Sequence, residues 1–206
     1  YGNIVLGAAQ AFHDRRLLNP AGLAEFKQLE AAGEKAVLIF DQPDAGMWEL
    51  RTRARVHTSS ALMCWAACDR LAKIALTLQQ GERAAYWQQH ARAMRERILR
   101  ESWSEERQAF AESFGGRDLD ASVLLMAEVG LIDPNDPRFI STLDALEKRG
   151  LLEGKASQVR ETQAATIGAV YDAIRKVNQE VGDLASGLIE SLEDQIEAQK
   201  NIGKKD

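Results

Sequence analysis

Apolar side chains recur at helical spacing along nearly the whole sequence, and the strict alternation of a half-buried strand is almost absent. This pattern predicts an all-α fold. Long loops follow alternate helices, so the helices join in pairs, as in an array or barrel of helical hairpins. The six helices predicted before residue 150 cover about residues 2–17, 21–40, 58–78, 82–100, 119–130 and 138–149.

Turn-forming residues separate these helices. Asn19-Pro20 should end the first helix, and Gly150 the sixth. Residues 103–116 lose the helical period and end in paired glycines, which predicts a short hairpin or an irregular loop. Asp118 or Asp120 can cap the fifth helix, and capping is the simpler interpretation of both, although either can also serve as an active-site carboxylate.

Composition narrows the classes of partner. Hydrophobic residues make up 45% of the 206 residues, enough for one domain with a sizeable core. The formal net charge is −5 with no basic run, which argues against nucleic acid or an anionic membrane surface as a partner. No apolar run approaches the roughly 18 residues of a membrane span. Because the sequence starts at Tyr1 without a leader, we expect an internal part of a longer protein.

The two cysteines, Cys64 and Cys68, lie four residues apart on one helical face. A disulfide framework needs cysteines spread along the chain to close loops, so we expect a reducing cytoplasm and buried, structural thiols. His57 lies nearby and can be proposed as a third metal ligand, but a fourth is absent, so we expect no metal. A nucleophilic cysteine would need His57 or His90 within hydrogen-bond reach.

The last fifty residues have a different pattern. Their apolar residues alternate in steps of three and four, which predicts a long amphipathic helix that docks on the body or pairs with a partner helix. We therefore expect a boundary near residue 152, an extension over 153–206, and self-association through residues 158–200. The apolar seam comprises Ile167, Val170, Ile174, Val177, Val181, Leu184 and Leu188.

Residues 41–57 form a long connection for a compact helical domain, and it begins DQPDAGMWELR. A glutamate beside an indole, as at Trp48-Glu49, can lose hydration, which favours its protonated form and suits a general acid. The indole face could stack on a sugar ring. Alternatively, Trp48 anchors the loop on the core while Glu49 pairs with Arg51 or Arg53. The residue pattern leaves both interpretations open.

Three ordered blocks together resemble the catalytic domain of glycoside hydrolase family 15, the glucoamylase-like and trehalase-like enzymes. They read PDAGMWELR over 43–51, HTSSALMCWAACDR over 57–70 and FGGRDLDASVLLM over 114–126. The resemblance covers roughly residues 1–152. Members of this family have an (α/α)6 barrel, of which six helices would be part.

The resemblance implies hydrolysis of an α-glucosidic bond with inversion, the substrate being a maltooligosaccharide or a trehalose-like glucoside. By position, Glu49 would be the general acid, Trp48 a wall of the sugar subsite and Arg51 a substrate contact, with no cofactor. Inversion needs a second carboxylate about 6.5–9.5 Å away as base. The family takes it from a glutamate far downstream, so we expect the base to be missing from this chain. The alternative hypothesis is a non-catalytic helical scaffold or an interaction module that uses the C-terminal helix.

Overall fold

The computed structural model describes residues 1–14, 16–49 and 54–149. The helices are α1 (Gly2–His13), α2 (Leu23–Ile39), α3 (Thr58–Thr77), α4 (Gly81–Glu101), a 3₁₀ turn (Ala121–Leu124), α5 (Leu125–Glu128) and α6 (Pro137–Lys148). Strands β1 (Trp103–Ser104) and β2 (Ala109–Phe110) form an antiparallel hairpin. This confirms the all-α prediction and the hairpin within 103–116. The Gly150 stop, the 153–206 extension and self-association through 158–200 lie outside the described residues.

Helix α3 is the centre of the core. Of its 20 residues 13 are buried, and it packs against α1, α2 and α4. Alanines and cysteines alternate with larger residues along it, and small side chains let neighbouring helices approach closely. One such close approach is at Gly33 of α2, where a Cβ atom would overlap the side chains of Leu71 and Trp87. Helix α3 is therefore held in place by packing on three sides, and its N-terminus positions the loops that contact it.

Helix α1 is shorter than predicted. It ends at His13, not near residue 17, because Asp14 takes an extended conformation and its carboxylate accepts the backbone N–H of Arg16 at 3.0 Å. The carboxylate also pairs with the Arg16 guanidinium. A side-chain acceptor that satisfies a backbone donor two residues on competes with the helical hydrogen bond, so the helix stops before Asn19-Pro20.

The predicted fifth helix over 119–130 is wrong in its extent and partly in its type. The segment starts as a 3₁₀ turn and continues as the single-turn helix α5. Asp120 caps it by accepting the Ser122 N–H at 2.8 Å, which decides the choice between the two aspartates. Gly130, with φ of 84°, reverses the chain, and Leu131 then donates its N–H to the Met126 carbonyl oxygen.

The C-terminal end of α2 fixes the start of the 41–57 loop. Asp41 accepts a 2.8 Å hydrogen bond from Arg97 of α4, and the Phe40 ring packs edge-on against Phe114 at 6.2 Å. Arg97 also stacks over the Phe40 ring. This loop therefore leaves α2 beside the segment that follows the β hairpin.

Candidate active site

Backbone hydrogen bonds bring the three sequence blocks together. Within the first connection, the Asp44 N–H donates to the Arg55 carbonyl oxygen at 2.8 Å and the Arg55 N–H donates back at 3.2 Å. Thr58 then donates to the Glu112 carbonyl oxygen at 2.7 Å, and Phe114 donates to that of Val56 at 3.0 Å. The 41–57 loop is thus closed on itself and attached at its far end to residues 112–114.

A buried histidine lies at the base of this loop. His57 is 7% exposed, and its Nδ1 lies 2.6 Å from Oδ1 of Asp44. The same oxygen accepts the Gly46 N–H at 2.9 Å. A Cβ atom at Gly46 would lie 2.8 Å from Cδ2 of the His57 ring, so the backbone here packs directly on the imidazole. One carboxylate therefore holds both the ring and the backbone of the loop.

Residues 46–49 form a tight turn that carries the predicted acid. The Glu49 N–H donates to the Gly46 carbonyl oxygen at 3.2 Å, and the φ angles are 70° at Gly46 and 50° at Glu49. A left-handed conformation is ordinary for glycine and unfavourable for glutamate, so the turn holds Glu49 in a strained backbone state. The Glu49 side chain is exposed. Its predicted pairing with Arg51 or Arg53, and Arg51 as a substrate contact, involve residues outside the described ranges.

Trp48 is tied to the third block and not to the core. Its indole Nε1 donates to Oδ2 of Asp120 at 2.9 Å, while the side chain remains 52% exposed. The other oxygen of that carboxylate caps the 3₁₀ turn. The predicted anchoring of Trp48 on the core is therefore replaced by an anchor at Asp120, which leaves about half of the side chain exposed to solvent.

A small open pocket lies between the blocks. Its lining includes Trp48 of the first block, Ser59 of the second and Asp120 of the third, together with Glu112. Aromatic surface beside several hydroxyl and carboxylate groups suits a ligand with both apolar faces and hydroxyls.

One arginine balances the carboxylates near this pocket. Arg55 donates to Glu112 at 3.2 Å and to Asp118 at 3.3 Å. Asp118 is thus an ion-pair partner and not the helix cap. Among the described residues, Asp44 and Asp120 add two further carboxylates, which disfavours an anionic ligand at this part of the site.

The two cysteines are structural. Both are buried and unbonded to each other, and Cys68 contacts the Met94 sulfur at 3.9 Å. Burial raises the pKa of the Cys64 thiol to about 11 and that of Cys68 to about 12, so neither is a nucleophile at neutral pH. Among the residues described, no three His, Cys, Asp or Glu side chains are placed to share a metal ion. Likewise, no helix of that part of the chain is both long and apolar enough to cross a membrane.

Sequence reasoning missed the pairing of Asp44 with His57. The two residues are 13 apart across an irregular loop, a separation to which no periodicity applies. The available signal was their presence at the starts of the first and second blocks, with Gly46 between them. Glu112, which lies before the third block, carried no signal of its own.

Comparison with known proteins agrees with the geometry. The family model for glycosyl hydrolases family 15 matches residues 38–174, about two thirds of the sequence. The chain belongs to this family. The helical hairpins described above are part of the (α/α)6 architecture of family 15. The match extends beyond residue 152, near which the C-terminal boundary of the domain was predicted.

Several relatives of this family 15 chain are trehalases. It is 38% identical over 125 residues to a trehalase of Mycobacterium tuberculosis, covering 58% of this chain and 18% of the relative. It is 32% identical over 123 residues to a trehalase of Mycolicibacterium smegmatis, covering 58% of this chain and 18% of the relative. It is 26% identical over 126 residues to a trehalase of Thermoplasma volcanium, covering 61% of this chain and 20% of the relative. The chain thus spans about a fifth of the length of these relatives. No solved structure matches it significantly.

Proposed function

We propose that this chain belongs to an inverting glycoside hydrolase that cleaves an α-glucoside of the trehalose type, with Glu49 as the general acid. The observation that carries the proposal is the 46–49 turn. It presents Glu49 directly after Trp48, whose side chain lines the pocket between the three family blocks. Trehalose is chosen among α-glucosides because the relatives reported above are trehalases.

The chemistry requires a proton donor that reaches the glycosidic oxygen. Glu49 is exposed at the end of a rigid turn, so an incoming glucoside can surround its carboxyl group and exclude water. In that complex the acid can protonate the departing oxygen as the bond breaks. The exposed part of the Trp48 side chain would stack on a glucosyl ring. We also propose Arg51, two residues further on, as a substrate contact.

The general base is assigned to none of the described carboxylates near the pocket. Asp44 accepts two hydrogen bonds, Asp120 accepts from Trp48 and Ser122, and both Glu112 and Asp118 are paired with Arg55. A base must be free to orient a water molecule on the face of the sugar opposite the acid. We propose that this base is a glutamate outside this chain, as the resemblance implies.

The proposal is tested by glucose release from trehalose, maltose and soluble starch, measured on a protein in which this chain is joined to the segment that carries the proposed base. Release from trehalose should be fastest, and Glu49→Gln should reduce it by about 10²–10⁴-fold, the usual contribution of a general acid. Glu96→Gln is the matched control, since Glu96 is an exposed glutamate on α4 away from the pocket. Equal rates for Glu49→Gln and the unmodified chain would refute Glu49 as the acid. Faster release from maltose or starch would move the substrate assignment away from trehalose.

Inversion has its own readout. Proton NMR recorded early in the reaction distinguishes the two anomers of the glucose released. Inversion at one anomeric carbon of trehalose releases one β-glucose and one α-glucose for each bond cleaved, because the departing sugar keeps its own α configuration, whereas retention releases α-glucose alone. Initial release of α-glucose without β-glucose would overturn the inverting mechanism while leaving the glycosidase proposal in place.

A further inference from the structure

The side chain of His57 has no part in capping α3, although His57 occupies the N-cap position. Its backbone is fixed at the start of the buried central helix, and its ring is almost completely covered. The ring is thus a rigid support that projects from α3 towards the 41–57 loop. Its polar contact is with Asp44, at 2.6 Å.

Asp44 transmits this contact to the turn. Its Oδ1 accepts hydrogen bonds from the His57 ring and from the Gly46 N–H, so both groups are held by one oxygen. The ring also packs on Gly46, at a spacing that excludes any side chain there. Gly46 is thereby fixed both by a hydrogen bond and by contact.

Gly46 in turn fixes Glu49, since its carbonyl oxygen accepts the Glu49 N–H at 3.2 Å. The left-handed φ of Glu49 costs free energy that surrounding contacts must offset. A continuous set of contacts therefore runs from the core helix through His57, Asp44 and Gly46 to Glu49.

We propose that His57 is a positioning residue for the reaction, which acts through Asp44 and Gly46 to hold the acid-bearing turn. The catalytic part of this inference, an effect of His57 on the rate, rests on the proposed function of Glu49. The mechanical part, that His57 holds the 46–49 turn in place, does not. A displacement of about 1 Å at a reacting group can cost about 10²-fold in rate, so the hold on the turn matters to catalysis.

The mechanical part is tested by amide hydrogen exchange on the full 206-residue chain. His57→Ala should accelerate exchange at the Gly46 and Glu49 amides by about tenfold or more, since their bonds depend on the support of the ring. His57→Asn should restore part of the protection, because its amide nitrogen can donate to Asp44 from near the position of Nδ1. His13→Ala, at an exposed histidine of α1, is the matched control and should change neither amide.

Exchange along α3 separates a local effect from unfolding. Unchanged protection of α3 with loss at the turn supports the proposal. Unchanged exchange at Gly46 and Glu49 in His57→Ala overturns it, as does equal acceleration throughout α3. If His57→Ala does not fold, Asp44→Ala removes the same link from the loop side, where the aspartate side chain is 40% exposed. It should give the same local loss.

The catalytic part is tested with two substrates that differ in their need for an acid. Trehalose has a sugar leaving group that must be protonated, whereas α-glucosyl fluoride has one that leaves with little assistance. His57→Ala should lower kcat for trehalose by about 10–100-fold with a smaller change in KM, and lower it far less for the fluoride. Equal losses on both substrates would overturn a positioning role. If the unmodified protein that carries both this chain and the proposed base hydrolyses neither substrate, the proposed function fails, and exchange alone decides whether His57 holds the turn.

Discussion

The indole nitrogen of Trp48 donates a 2.9 Å hydrogen bond to Asp120, a residue 72 positions further along the chain. The second oxygen of this carboxylate caps the 3₁₀ turn by accepting the Ser122 N–H. One aspartate therefore fixes the aromatic side of the pocket and the start of the segment that follows it. The two tasks explain why both oxygens are used and why an amide cannot replace the carboxylate fully.

The Trp48–Asp120 pair should be energetically coupled. Trp48→Phe, Asp120→Ala and the double variant form a cycle in which the loss of the cap, about 1 kcal/mol, is common to both backgrounds and cancels. The remaining coupling should be about 0.5–1.5 kcal/mol, the worth of one hydrogen bond. Urea unfolding measures it, and a coupling of zero would mean that the bond contributes nothing in solution.

Two helical glycines should respond oppositely to alanine. At Gly33 a Cβ atom would overlap Leu71 and Trp87, so Gly33→Ala should destabilise the protein by about 1–3 kcal/mol through overpacking. At Gly7 of α1 nothing lies within 4 Å, so Gly7→Ala should stabilise it by up to about 1 kcal/mol through helix propensity. Thermal unfolding compares them. A stabilised Gly33→Ala variant would show that α2, α3 and α4 approach less closely than described.

The buried thiols should make stability fall at alkaline pH. Burial raises the pKa of Cys64 and of Cys68 above the ordinary value of 9.0, so the unfolded chain loses these protons first. The stability that the protonated thiols contribute is fully present below pH 9. The free energy of unfolding then declines between about pH 9 and 11, by up to about 1.4 kcal/mol per pH unit for each thiol. Urea unfolding at pH 8, 9 and 10 should show a shallower decline in the Cys64→Ala/Cys68→Ala variant. Identical slopes would contradict the shifts.

Glu128 should destabilise the folded state near neutral pH. Its Oε2 is buried without a hydrogen-bond partner among the described residues, and burial raises the pKa of its carboxyl group above 4.5. The stability it contributes is present below that value and is lost as the pH rises through the folded-state pKa. Glu128→Gln should therefore gain stability relative to the original chain between pH 4 and 7. A difference that does not change with pH would count against a buried, titrating Glu128.

Helical periodicity was enough to predict the all-α class and the positions of α2, α3 and α4, because these helices bury a wide apolar face. It overestimated α1, since Asp14 satisfies a backbone donor locally, and it overestimated α5, since the cap by Asp120 begins a 3₁₀ turn in place of the first turns of the predicted helix. Both errors lie at ends, where single side-chain hydrogen bonds decide the outcome and no periodic signal extends.

The candidate site was predictable only where its residues are neighbours in sequence. Trp48 and Glu49 stand side by side, so their pairing was visible. The partners that hold them, Asp120 and His57, come from later elements, and long-range contacts of this kind follow from tertiary packing. The sequence therefore indicated Glu49 as a candidate acid but not the residues that hold its turn.

The two hydrogen bonds between Asp44 and Arg55 join the ends of a ten-residue excursion, residues 45–54, at a narrow base. Because this base fixes both ends, changes in the excursion that keep the contacts of Gly46 with His57 and of Trp48 with Asp120 should leave the helices on either side in place. The excursion is in this sense a replaceable module. Exchange of residues 45–54 between relatives would leave the helical scaffold unchanged and could transfer a different sugar preference.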